Sequence, residues 1–150
     1  MIETIYNFRQ LTPQLATGGQ PDAEELAAIC RAGYQVVINL GLQDAAYALV
    51  DEKQIVLAHG LHYHHLPVNF ETPELEQFFV FRDLYRQLAA HMCFIHCAAN
   101  KRVSTFMALY RIVELGWSQR DAEAEMLQLW QPNAAWRSFM QQVLTQNSGS

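Results

Sequence analysis

Two runs of the chain, "YQVVINLG" from position 34 and "MCFIHC" from position 92, are apolar residue after residue. A strand with one wet face alternates apolar and polar side chains, whereas an unbroken run belongs to a strand covered on both faces. Such strands occur mainly in parallel sheets, whose neighbours are joined by helices. The intervening sequence supplies them. "DAEELAAICRAG" opens with Asp22 and Glu25 at capping-box spacing, closes on Gly33, and puts Leu26, Ile29 and Cys30 on one helical face. A second helix is expected over 45–60, then a buried strand in "LHYHHLPV". A third helix starts near Thr72-Pro73-Glu74 and carries Leu75, Phe78, Phe81, Tyr85 and Leu88 at helical spacing to about His91. Further helices are expected over 103–115, 118–130 and 134–145. The alternation predicts an α/β domain with a mainly parallel central sheet of four to five strands flanked by helices. The 150 residues suit one domain, with a disordered tail over 146–150.

The end of the last apolar run carries the chemistry. In a parallel sheet, ligands bind beyond the carboxyl ends of the strands. His96 and Cys97 stand at such an end, and a helix follows within a few residues. Backbone N–H groups from Ala98, Ala99, Asn100, Lys101, Arg102 and Val103 can face an anion there, and they favour a thiolate over a thiol. Arg102 can place two parallel hydrogen bonds on a phosphate-like group. Ser104 can donate to the sulfur when it must leave, His96 can order the loop, and Lys101 can add positive potential. Thiolate, amide cradle, arginine and hydroxyl together are the parts of a cysteine phosphatase.

"IHCAANKRVS" resembles the signature loop of protein tyrosine and dual-specificity phosphatases. "NFRQLTPQLATGGQPDAEELAAICRAGYQVVINL", with its Gly19-Gln20-Pro21 turn, and "GLHYHHLPV" narrow the likeness. They resemble a bacterial phosphatase-like family of unknown function, also found fused to beta-lactamase-hydrolase-like proteins. The resemblance implies a phosphatase-type α/β fold, Cys97 as nucleophile and Arg102 as phosphate clamp. It implies phosphomonoester hydrolysis through a phosphocysteine, with no metal and no cofactor, on a phosphorylated small molecule or a phosphoprotein.

Two departures matter. The usual loop has five residues between Cys and Arg and a Ser or Thr directly after. Here four residues, "AANK", separate them, and Val103 stands between Arg102 and Ser104. One helical step turns a side chain by about 100°, so Arg102 must reach the site from a different direction or the loop must be rearranged. Asn100 replaces the usual glycine and is the next best residue for positive φ. The second departure is the general acid. Related phosphatases place an Asp after "PV", but this chain has "LPVNFETPE". Glu71 is the nearest carboxylate, and Asp44 is the other candidate. Two alternatives stay open: a rhodanese-like sulfurtransferase, favoured by the Cys-x4-basic spacing, and a phosphate- or phosphoprotein-binding module with little catalysis.

The net charge of −5 argues against nucleic acid as the main partner. No apolar stretch reaches the ~18 residues of a membrane span, so no membrane partner is expected. The N-terminus has no signal-peptide apolar core, and three cysteines, an odd count, suit a reducing compartment. Cytoplasm is the expected location. Cys93 and Cys97 lie roughly 13 Å apart along a strand at ~3.3 Å per residue, too far for a disulfide. His62 and His64 share one strand face with His65 on the other, but no third metal ligand is evident, so they are taken as structural. Trp130, Trp136 and Phe139 are taken as core or dimer packing.

Overall fold

The computed structural model describes residues 1–148. Five strands form one sheet in the order β1-β2-β5-β3-β4. They are β1 (Arg9–Thr12), β2 (Leu15–Gly18), β3 (Val36–Asn39), β4 (His62–His65) and β5 (Cys93–His96). β2, β5, β3 and β4 run parallel, and β1 returns antiparallel on β2. The helices are α1 (Ala23–Arg31), α2 (Glu52–Ala58), α3 (Leu75–Leu88), α4 (Lys101–Val113), α5 (Gln119–Leu129) and α6 (Ala134–Ser148). The β1–β2 hairpin at the N-terminal edge has no counterpart in the apolar-run pattern. Its first strand alternates half-buried and exposed positions, a weak signal over four residues.

β3 and β5 are buried throughout, as their apolar runs require, and β2 is buried beside β5. Alternate residues feed two cores. Val36, Ile38, Cys93, Ile95 and Cys97 pack against Phe78 and Phe81 of α3, Phe106 of α4, and Trp136 and Phe139 of α6. Val37 and Phe94 pack on the opposite face against Leu26 and Ile29 of α1 and Val56 of α2. Trp136 and Phe139 are therefore core residues. The α1 capping box forms as expected, with the Asp22 side chain accepting from Glu25 N–H, and Gly33 takes φ +95° just past the helix.

Several boundaries differ from expectation. The second helix begins only at Glu52. Residues 45–51 are turns, because Asp51 adopts φ 64° and Tyr47 folds back so that its hydroxyl accepts from Leu42 N–H at 2.7 Å. The third helix starts at Leu75 with Glu74 as its cap, boxed with Gln77, so Pro73 precedes the helix; it stops at Leu88, short of His91. β4 is an edge strand, with His62 exposed and Tyr63 to His65 half-buried, not a strand buried on both faces. Residues 146–148 continue α6 and are not disordered; 149–150, the remainder of the expected tail, lie outside the described residues. No helix among the described residues is long and apolar enough to cross a membrane.

Candidate active site

β5 lies at the centre of the sheet, and Cys97 is the first residue past its end, 1% exposed. The next turn is built with its carbonyls facing outward. Ala98 C=O accepts from Gln20 N–H at 3.0 Å, and Ala99 C=O accepts from the Asn7 side chain at 3.0 Å. Gly19 bridges Ala99 at this seam, where any side chain at position 19 would run into the Ala98 carbonyl. Asn100 then turns the chain at φ 63°, the conformation expected of it, and caps the start of α4. Its Nδ2 donates to Asn7 C=O at 2.9 Å and Thr17 Oγ1 at 3.0 Å, while its buried Oδ1 has no partner among the described residues.

The first backbone bond of α4 runs from Ser104 N–H to Asn100 C=O at 3.1 Å. The amides of Asn100, Lys101, Arg102 and Val103 are thus the unsatisfied donors of a helix N-terminus, beside Cys97. Arg102 is 4% exposed. Its guanidinium donates to Val68 C=O at 2.7 Å and to Tyr47 Oη at 3.2 Å, reaching across to the loops that follow β4 and β3. The Tyr47 and Phe70 ring centroids lie 5.6 and 5.9 Å from its central carbon. The early position of Arg102 is accommodated in this way: α4 begins directly at Lys101, and the side chain is fixed beneath two strand-end loops. Lys101 is exposed, with Nζ 5.7 Å from the Trp130 ring centroid and 5.9 Å from that of Phe70.

Ser104, one turn into α4, is 6% exposed. Its Oγ donates to Lys101 C=O at 3.1 Å, a bond back along the helix. Glu71 and Asp44 are both exposed, and neither carboxylate has a hydrogen-bond or ionic partner among the described residues. Asn69 caps the Glu71 turn by accepting from Glu71 N–H at 2.9 Å. Phe70 is held from behind, because Trp136 Nε1 donates to its carbonyl at 2.8 Å.

His96 is fully buried. Its Nε2 lies 2.6 Å from Glu52 Oε2, and its Nδ1 lies 3.2 Å from Cys97 C=O. Glu52 also accepts from Gln20 Nε2 at 2.8 Å. Burial pushes the Glu52 carboxyl upward, but the His96 hydrogen bond and charge, with Gln20, outweigh it and hold the group below its ordinary value. Burial raises the Cys93 thiol to about 11 and leaves it inert. Sequence reasoning missed Glu52, Tyr47 and Val68. Glu52 falls mid-helix in the expected 45–60 stretch, where one more acidic residue has no signal; Gln20 is reached only through the Gly19-Gln20-Pro21 turn.

A cavity of about 630 Å³ lies past the carboxyl ends of β3 and β4 and is lined by Asn39, Lys53, Glu52, Tyr63 and His65 among others, but not by Cys97. His62 and His64 line a different cavity of about 340 Å³ with His91. No group of three or more His, Cys, Asp or Glu side chains suited to a metal ion occurs among the described residues. His65 points the other way, its Nε2 2.7 Å from Gly41 C=O.

The family model of DSP-PTPase phosphatases fused to NAD+ kinase matches residues 7–146. The chain belongs to this family. A DUF442 protein of Shewanella putrefaciens CN-32, described as a phosphatase candidate, is 26% identical with a TM-score of 0.88, over 97% of this chain and 96% of that one. Tk-PTP superposes with a TM-score of 0.79 at 20% identity over 100% of both chains. PTPMT1, in a structure with PI(5)P, does so at 0.78 and 14% identity over 95% of this chain and 97% of its own. The two last share the fold. No curated protein matches the chain. The five-stranded, mostly parallel sheet flanked by six helices is the phosphatase-type fold.

Proposed function

We propose that this DSP-PTPase family member hydrolyses phosphomonoesters through a phosphocysteine on Cys97. The observation that carries the reading is the loop itself. Gln20 and Asn7 draw the carbonyls of Ala98 and Ala99 outward, and the free amides of α4 gather beside a buried strand-end cysteine. The Cys97 thiolate attacks phosphorus, forming the S–P bond as the P–O bond to the leaving group breaks. Water then attacks the phosphocysteine and releases inorganic phosphate and the thiolate. The amides of Ala98 to Val103 hold the equatorial oxygens in both steps. Arg102 has five N–H donors. Val68 and Tyr47 engage one on each terminal nitrogen, so donors remain for phosphate. The leaving oxygen takes its proton from Glu71, Asp44 or water. Neither metal nor cofactor enters the scheme.

The substrate class is a phosphorylated small molecule or phosphoprotein, in the cytoplasm, with neither nucleic acid nor membrane as partner. The exposed, unpartnered state of Glu71 and Asp44 supports a second reading, a phosphate-binding module with slow turnover. One panel separates the possibilities: p-nitrophenyl phosphate, a phosphotyrosine peptide and thiosulfate, each with the natural chain and with Cys97→Ser. Aryl phosphate turnover abolished by Cys97→Ser is expected. Phosphate binding without turnover of either ester would favour the binding module, and thiosulfate turnover alone a sulfurtransferase.

A further inference from the structure

Glu52 is a costly side chain to place where it is. It is a carboxylate 5% exposed, at the first position of a short helix, and its two oxygens are taken by Gln20 and His96. Burying such a group is unfavourable unless it is fully paired. Its partner His96 is enclosed completely and immediately precedes Cys97. Both ring nitrogens of His96 face oxygens, Glu52 Oε2 at 2.6 Å and Cys97 C=O at 3.2 Å. A carbonyl only accepts, and an ionised carboxylate only accepts. The ring satisfies both only with a proton on each nitrogen.

We propose that Glu52 is a positioning residue for Cys97: its carboxylate fixes the His96 ring and balances a positive charge on it, directly behind the nucleophile. The inference rests on the phosphatase reading for its catalytic meaning, but not for its test. Gln20 joins the chain to the phosphate loop, since its side chain holds Glu52 and its backbone N–H holds Ala98 C=O. The other titratable groups around Glu52 are His65 and Tyr63 on β4, with Asp51 and Lys53 beside it on the cavity wall. The short Gln20–Glu52–His96 chain is the only one of these contacts that continues to Cys97. A charge fixed there favours the thiolate and holds the Cys97 carbonyl away from the incoming anion.

Two measurements test this without relying on turnover. In ¹⁵N-histidine-labelled protein, both His96 nitrogens should show N–H-type shifts near neutral pH; an unprotonated nitrogen would overturn the proposal. In a Cys30→Ser background, which removes the half-buried thiol of α1, iodoacetamide alkylation of Cys97 should be followed against pH with and without Glu52→Gln. Gln keeps the size and a hydrogen bond but removes the charge. Without the carboxylate to balance it the positive charge on the His96 ring is lost, and alkylation near neutral pH should slow about tenfold or more, the usual effect of withdrawing one nearby opposite charge. An unchanged pH profile in a variant with native circular dichroism would overturn the charge role. If the natural chain turns over no phosphate ester, the phosphatase reading fails while both measurements still decide the role of Glu52.

Discussion

Gly19→Ala tests how the phosphate loop is held. A Cβ at this position would stand 2.5 Å from Ala98 C=O, and 3.1 Å from both Tyr6 Cδ2 and Tyr6 C=O. Ordinary contact begins near 3.4 Å, so the Ala98 carbonyl must retreat by about 0.9 Å or the whole Tyr6 segment must move. The Tyr6 ring can swing aside, but the tightest contact, Ala98 C=O, is backbone, so no side-chain movement relieves it. Overpacking of this kind costs about 1–3 kcal/mol, equivalent to a drop of a few to about ten degrees in Tm at this chain length. The carbonyl that moves is the one Gln20 N–H holds at 3.0 Å, so the amides beside Cys97 shift with it. Displacement of about 1 Å at reacting groups costs on the order of 10²-fold in rate. Thermal melting and steady-state turnover of p-nitrophenyl phosphate measure the two effects. Gly60→Ala is the control: its φ of +81° makes Ala strained, but nothing lies within 4 Å and the site is untouched. It should lose stability and keep kcat. If Gly19→Ala keeps natural stability and turnover, the seam between the Gly19-Gln20-Pro21 turn and the loop does not brace the site.

Three further outcomes are expected. Arg102→Lys should lower turnover by about 10²–10³-fold, because an ammonium cannot contact Val68 C=O, Tyr47 Oη and a phosphate in one plane; steady-state kinetics on an aryl phosphate would show it. If Glu71 is the proton donor, Glu71→Gln should depress alkyl phosphate turnover more than activated aryl turnover, by up to ~10²–10⁴-fold, and equal effects would direct attention to Asp44→Asn. The folded Glu52 carboxyl sits below its ordinary 4.5, so the unfolded chain binds more protons in the window under that pH. Its stabilisation is complete above the unfolded value and is lost as pH falls through the folded value, so urea midpoints measured down from pH ~6 to ~3 should fall less steeply in Glu52→Gln than in the natural chain.

The local parts of this protein are written locally. An unbroken apolar run specifies a strand covered on both faces, and β3 and β5 are such strands because each face meets its own core. The α1 cap depends on Asp22 and Glu25 three residues apart, and Asn100 at a loop turn depends on its tolerance of positive φ. Each of these is a property of neighbouring residues, so sequence alone determined it, along with the phosphatase-type fold and the position of Cys97 at a strand end. What surrounds Cys97 was decided by the tertiary structure. Glu52 reaches His96 across 44 positions, Arg102 reaches Val68 across 34 and Tyr47 across 55, and Asn7 reaches Ala99 across 92. No periodicity or cap encodes such pairs. They exist because parallel strands deliver their carboxyl ends to one edge of the sheet, where loops from distant parts of the chain meet. The false helix over 45–51 has the same cause. Tyr47 has adequate helical propensity, but hydrogen bonds to Leu42 N–H and Arg102 outweigh that small preference, and the turn they impose places Glu52 against His96.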